Sequence, residues 1–274
     1  DDPGTDDCFF IDRFIEGGED TDSIQVDLLA LQGFDNQIII EGLELQAGEY
    51  DQLRLSIIDE DTNFSWVKEL ENGDVLKELK VPSDELKLGG FTVERGGVQV
   101  FVIEFDLRKA MTYNPGPPGP DRYILKPTGV RVVEVDAAAS ISGNVNSALF
   151  SGNSTAPCIN KVDVNDGNVV YLYRGHNLVT DNLADNFDNS LDVDAPATAI
   201  APYTSQKVQA DGGYGVAYLP AGDYTLAFSC EAANDDPELL DGIVIPSPDT
   251  QVVELSLGEG ESKTCDLPLV GGEC

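Results

Sequence analysis

Three acidic stretches carry the oxygen ligands that a hard cation prefers. Asp163, Val164, Asn165, Asp166, Gly167 and Asn168 form the most compact of them. The glycine falls one position early and no Glu closes the loop at the twelfth place, so it departs from the helix-loop-helix calcium pattern. Asp181, Asp185, Asp188, Asp192 and Asp194 make the second stretch, and Asn234, Asp235 and Asp236 the third. Carboxylates and carboxamides of this kind suit Ca²⁺, which makes calcium the one candidate cofactor. The plain alternative at each stretch is a solvated acidic loop, and Asp1, Asp2, Asp6 and Asp7 read as a solvated end.

The five cysteines offer different chemistry. Cys8, Cys158, Cys230, Cys265 and Cys274 show no CxxC and no Cys/His zinc spacing, and the single histidine, His176, sits in a polar turn. Disulfides in an oxidising compartment are the natural reading. Cys230 ends a strand-like run and Cys158 precedes another, so we expect a Cys158–Cys230 bridge, with Cys265–Cys274 as the second pair. Cys8 is left unpaired or free for an intermolecular bond. One histidine cannot fill two catalytic roles. No Gly-x-Ser-x-Gly elbow or phosphate loop is present, and paired carboxylates say little in so acidic a chain. Among the aromatics, Trp66, Phe64, Tyr113 and Tyr123 are candidates for a sugar platform, with core packing the expected fate of Trp66. Tyr214 and Tyr218 are expected on one strand face. Asn63 and Asn153 begin N-x-[ST] triplets.

Composition narrows the setting. The net charge of −34, from 50 acids against 16 bases, excludes nucleic-acid binding, since that affinity comes from Lys and Arg neutralising phosphates. It disfavours anionic membrane surfaces too, and suits a salty medium, divalent cations or solubility. Hydrophobic residues make up 41% of the 274, enough for a packed core. No apolar run approaches the roughly 18 residues that span a bilayer. The chain begins at Asp1 without an initiator Met or a signal-peptide pattern, and reads as a mature or trimmed product.

The elements that would position these groups are short strands. A phrase occurs twice: Leu45-Gln46-Ala47-Gly48-Glu49-Tyr50 and Leu219-Pro220-Ala221-Gly222-Asp223-Tyr224. Each is a tight turn feeding a strand. Alternation predicts strands within 8–15, 24–31, 37–45 (or a helical turn), 51–58, 91–93 and 98–107, the last two joined as a hairpin across Gly96-Gly97. A hairpin is expected within 66–79, turning at Asn72-Gly73, and one long strand over 123–135, interrupted by Pro127. Residues 114–120 are a Pro/Gly loop, and 108–113 hold at most one helical turn. After a boundary at 136–140, strands are expected in 141–145, 168–173, 203–210, 213–219, 225–230, 242–245, 251–257 and 262–267. The fold class is all-β, two β-sandwich domains of Ig-like or transthyretin-like type in tandem, spanning 1–137 and 138–274.

The run from Val26 to Gly33, then Leu45 to Leu55, Leu86 to Phe91, Ile103 to Lys109 and Leu125 to Pro127, resembles the DUF4382 family of bacterial surface proteins over roughly residues 20–137. The second half, from Ile141-Ser-Gly143 to Tyr224, resembles a carboxypeptidase-regulatory or transthyretin-like sandwich. The resemblance implies a secreted or lipid-anchored envelope protein of unassigned function, with no catalytic residues to carry over. The resemblance implies a leading strand pair ahead of the matched part, and we expect the sequence, starting at Asp1, to begin after it. A sandwich short of a strand presents unpaired N–H and C=O groups, which another subunit's extended segment can fill.

The expected function is therefore a non-enzymatic, secreted or cell-surface structural or adhesive protein. Its specific version is the subunit of an extracellular filament joined by strand complementation or an intermolecular disulfide. Its partners would be other copies or other envelope and matrix components, with no nucleic acid, no membrane span and a lipid anchor only in a precursor. The alternative is a monomeric extracellular module binding glycan or calcium, with Trp66 or Tyr123 exposed at a groove.

Overall fold

Runs of β-branched and aromatic residues punctuated by Gly, Pro, Asn and Asp favour short strands, and the computed structural model is built from them. It describes residues 9–16, 18–70, 73–149, 158–159, 161, 163–188, 191–269, 271 and 273–274. Among these, nineteen strands are joined by turns, and the α-helix amounts to the single turn α1 (Leu107–Ala110). The chain is all-β. No helix among the described residues is long and apolar enough to cross a membrane. Cys8, Asn72, Asn153 and the acidic lead-in lie outside the described residues.

The first half opens on β1 (Phe14–Glu16) and β2 (Glu19–Thr21), a small hairpin. Strands β3 (Gly48–Tyr50), β4 (Arg54–Ser56), β5 (Trp66–Glu69), β6 (Val75–Lys80), β7 (Glu85–Lys87), β8 (Phe91–Val93) and β9 (Phe101–Phe105) precede α1. β10 (Met111–Pro115), β11 (Asp121–Leu125) and β12 (Val130–Glu134) follow it. One sheet has the order β10-β11-β6-β5, with β11 and β6 parallel; β3-β8, β4-β7 and β9-β12 are separate antiparallel pairs. Val81, Leu86, Leu88, Ala110, Leu125 and Val130 form a small buried core there.

The second half contains β13 (Ala139–Asn144), β14 (Val169–Arg174), β15 (Thr204–Lys207), β16 (Gly213–Leu219), β17 (Gly222–Ser229), β18 (Val252–Leu257) and β19 (Ser262–Thr264). Two sheets, β16-β13-β19 and β15-β14-β17-β18, face each other as a sandwich. Ile141, Val216 and Leu219 from one sheet meet Leu172, Leu226, Phe228 and Leu255 from the other. The outer face of β14 and β17 is also covered: Val169, Tyr171, Tyr173 and Ala227 pack on Leu183, Ala232 and Ile245 from the connecting loops. Burial on both faces explains why Val169–Tyr173 is continuously apolar instead of alternating. β13 and β19 run parallel, and Gly143 permits their approach, since a Cβ there would lie 2.0 Å from the Cys265 carbonyl.

Several expected strands are absent, each for a local reason. In 24–31 the Asp27 carboxylate takes the N–H groups of Leu29 (3.0 Å) and Ala30 (3.3 Å), folding the run into a turn. In 37–45 Gly42 has φ +69° and the run stays irregular. In 242–245 the N–H of Ile243 goes to the Asp185 carboxylate instead of a ladder. β8 and β9 do not form a hairpin, because β8 pairs with β3 and β9 with β12. The expected long strand at 123–135 is two, β11 and β12, in different sheets. They separate at Pro127–Gly129, where Gly129 has φ +117°.

Candidate functional site

The repeated phrase acquires a shared mechanism. The Tyr50 hydroxyl donates to the Gln46 carbonyl at 3.0 Å, and the Tyr224 hydroxyl to the Pro220 carbonyl at 2.7 Å. In both copies the ring folds back over its own turn and pins the carbonyl four residues upstream, a tyrosine-corner arrangement. The copies differ in depth. Tyr224 is buried with Leu219 in the sandwich core, whereas half-buried Tyr50 stacks on Phe91 at 5.0 Å.

That difference runs through the whole molecule. The second half closes its core; the first half leaves an open trough of about 3560 Å³. It runs between β3–β5, β8, β9 and the irregular 22–47 segment, and β15–β16 bound it on one side. The segment is tied to the strands by side chains, among them Gln25 Nε2 to the Phe64 carbonyl (2.7 Å) and Asn36 Nδ2 to the Tyr218 hydroxyl (3.4 Å). Large apolar side chains stay in solvent along it: Val98 is 88% exposed, Leu70 73%, Phe10 70% and Leu29 66%. The rim is acidic, with Glu41, Glu44, Glu49, Asp51 and Glu94. Trp66 opens β5 at this trough and is 37% exposed, which corrects the expectation of core packing. β5 is the edge strand of its sheet. Tyr113 and Tyr123 form a cross-strand pair 4.9 Å apart, their hydroxyls held by Asp121 and Glu69.

A second polar concentration lies where the halves meet. The Arg108 Nη2 is 2.8 Å from Asp235 Oδ2, and Lys109 Nζ donates to the carbonyls of Pro202 (2.5 Å) and Tyr203. Lys126 pairs with Asp188, and the Tyr113 N–H donates to Glu238 at 2.6 Å. Lys109, Arg131 and Arg174 surround the Tyr203 ring at 5.6, 4.7 and 4.2 Å from its centroid. Burial pushes the Glu104 carboxyl up to about 7 although Arg131 opposes the shift, and burial likewise raises Asp106 and lowers Lys109. Nothing in the sequence connects Arg108 with Asp235; the one available signal was two adjacent bases in so acidic a chain.

The residues expected to hold a cation are dispersed and engaged locally. Asp163 and Asn165 are exposed, while Asn168 is buried and donates to the Val164 carbonyl at 2.5 Å. Asp181 and Asp194 face solvent. Asp192 accepts the N–H of Leu240 (2.9 Å), and Asp188 meets Lys126. Asp185 is fully buried and accepts the N–H groups of Asp241 (3.1 Å) and Ile243 (3.0 Å); burial pushes its carboxyl up to about 6. Among the described residues no group of three or more His, Cys, Asp or Glu side chains could hold a metal ion. Asn63 is exposed. His176 Nε2 lies 3.1 Å from the Leu255 carbonyl. Tyr214 is buried but Tyr218 is not, which corrects their expected common face: β16 carries an extra residue opposite β13, and Tyr218, at φ +54°, turns outward.

Disulfides join Cys158 to Cys230 and Cys265 to Cys274. The first ties the segment before β14 to the end of β17, and three of the four cysteines are buried.

Residues 11–127 match the family model described as Domain of unknown function (DUF4382). The match starts at the edge of the first described segment and ends between β11 and β12. No curated protein matches the chain. Among solved structures it is similar to the major pilin subunit BcpA of Bacillus cereus (11% identity, TM-score 0.25, covering 67% of this chain and 42% of that one). It is similar also to the Bacillus anthracis TIE protein (11%, 0.25, 79% and 33%) and to GBS52, the minor pilin of Streptococcus agalactiae (14%, 0.24, 85% and 89%). The chain thus spans less than half the length of the first two, and scores this low describe a general likeness among β-rich chains.

Proposed function

We propose that this chain is a non-enzymatic, secreted or cell-surface structural or adhesive protein, and that its first half is an assembly surface. The reading divides it at 136–140 into two β units, 1–137 and 138–274, the second of carboxypeptidase-regulatory or transthyretin-like type. The observation that carries it is the trough: an apolar surface left open beside short strands, in a molecule whose other core is closed. An extended segment of a neighbouring copy would add backbone pairing to the free strand edges and cover the apolar side chains, joining copies into a filament. Cys8 would lock such a contact as an intermolecular disulfide. Two disulfides and an acidic exterior fit an oxidising, extracellular setting.

Copies each carrying −34 repel one another, so assembly by an apolar surface must strengthen as salt screens the charge. Light scattering on the unreduced chain at about 0.05 M and 1 M NaCl tests this. Mass growing with salt and protein concentration, and lost in Leu70→Asp, is the expected result; a monomer at every salt refutes filament formation. The half-exposed Phe64 and Trp66 side chains favour a second reading, a monomeric module that stacks a glycan ring at the trough. It predicts quenching of Trp66 fluorescence by oligosaccharides.

A further inference from the structure

Among the described residues, three buried oxygens of neighbouring side chains meet no hydrogen-bond donor: Asp185 Oδ1, Asn186 Oδ1 and Asp235 Oδ1. Their side chains are otherwise fully used. Asp185 Oδ2 holds the N–H groups of Asp241 and Ile243. Asn186 Nδ2 donates to Ser205 Oγ (2.7 Å) and lies 3.4 Å from Asp235 Oδ2. Asp235 Oδ2 also accepts from the Tyr171 hydroxyl (2.6 Å) and Arg108. Asp185 and Asn186 are 0% and 2% exposed, and the Asp235 side chain 1%. A buried acceptor without a donor costs roughly 1–3 kcal/mol, so three in one cluster call for a shared partner.

Charge says which partner. The Arg108 guanidinium meets Asp235, whereas Asp185 has the like-charged Asp235 and Asp241 carboxylates nearby. The cluster keeps an uncompensated negative charge, which a water molecule cannot neutralise. The donors are all oxygens, two carboxylates and a carboxamide, which excludes soft metals. We propose that Asp185, Asn186 and Asp235 bind one hard cation, with calcium as the first choice because it accepts irregular oxygen sets completed by carbonyls or water. The ion would fasten the 231–243 loop to β14 and to α1 through Arg108. None of the three ligands lines the trough, although Arg108 and Ser205 beside them do, and the proposal does not depend on the assembly reading.

Terbium is the probe, because the Tyr171 ring, whose hydroxyl touches Asp235, can sensitise its emission. Titrated into the full chain at about 0.15 M NaCl, it should show one saturable tyrosine-sensitised site displaced by calcium. Asp185→Asn and Asp235→Asn should each weaken that site at least tenfold. Calcium at about one hundred times its Kd should raise the melting temperature by ~5 °C or more. If the carboxylate variants fail to fold, Asn186→Asp serves instead: a third charge must enlarge the calcium-dependent shift. Emission unchanged in both carboxylate variants means surface carboxylates only and overturns the proposal. An Asn186→Asp shift no larger than that of the parent chain overturns it as well, leaving a bound water as the partner of these oxygens.

Discussion

Replacing Tyr224 by Phe removes one hydroxyl and nothing else, and isolates what the repeated turn contributes. In the second copy the hydroxyl–carbonyl bond to Pro220 is 2.7 Å long and the ring is 1% exposed. A hydrogen bond between neutral groups contributes about 0.5–1.5 kcal/mol, and the upper part of that range applies because the variant leaves a carbonyl at a partly buried turn without its donor. We expect a loss of about 1–1.5 kcal/mol, a fall in melting temperature of about 2–5 °C for a chain of this size. In the first copy the bond to Gln46 is 3.0 Å and exposed to water, and the stack on Phe91 survives in the variant. Tyr50→Phe should therefore cost under ~0.5 kcal/mol. Denaturant titration with calorimetry reads both. If Tyr50→Phe costs as much as Tyr224→Phe, or Tyr224→Phe costs nothing, the corner is a geometric coincidence and the account of the repeat fails.

Arg108→Met leaves the Asp235 carboxylate buried without its cation, and should cost about 3–5 kcal/mol; Arg108→Met with Asp235→Asn should cost less than the single change, a coupling that a double-mutant cycle measures. Glu104 has an ordinary value of 4.5 and about 7 when folded, so between those values the native state holds a proton that the unfolded chain has released. Stability should fall by about 3 kcal/mol as pH rises from 4.5 through 7, and Glu104→Gln should flatten that slope in urea titrations at pH 5 and 8. The Cys158–Cys230 bridge closes a separation of 72 residues and Cys265–Cys274 one of 9, so loop entropy assigns them about 4 and about 2.5 kcal/mol. Cys274 is exposed while Cys158 and Cys230 are buried; mild reductant followed by alkylation and mass mapping should label the 265–274 pair first.

How much could be read without coordinates follows from how local each signal is. β14, β16 and β18 were legible because their apolar residues are contiguous or alternate between clear turn residues such as Asp211-Gly212 and Gly258-Glu259-Gly260. The runs at 24–31 and 242–245 look equally strand-like, but their backbone donors are taken by Asp27 and Asp185, and a side chain that satisfies a donor removes the incentive to pair. Asp185 itself was legible as an oxygen ligand by spacing, yet what its carboxylate does was not, because its partners at 241 and 243 lie more than fifty residues away. The repeat was visible as a turn, while the hydroxyl bond that explains its tyrosine needs the chain to fold back on itself. Arg108 and Asp235, 127 residues apart, had no local signature at all.

The distribution of charge links the junction to the trough. Only Lys161, Arg174, Lys207 and Lys263 are basic in residues 138–274, against 20 acids; the other 12 bases lie in residues 1–137. Arg108, Lys109 and Lys126 from that first group reach acceptors of the second half, at Asp235, Pro202, Tyr203 and Asp188. Those three bases are engaged where the two halves touch, and the trough is lined by more acids than bases, the bases being Arg54, Lys68, Arg108 and Lys207. An open apolar surface normally invites indiscriminate association, but here every approach by another copy meets a field of like sign. Repulsion extends about a Debye length, near 10 Å at 0.1 M salt, whereas apolar contact and strand pairing act only on touching. On the proposed assembly reading, those ranges would make ionic strength the gate: at low salt the rim would hold copies apart, and at high salt the trough could be covered. Neutralising the rim alone, with Glu41, Glu44 and Glu94 changed to Gln, should therefore move the salt midpoint of assembly downward while leaving the melting temperature of the closed second half unchanged. A midpoint that stays in place would mean that the trough does not carry the contact.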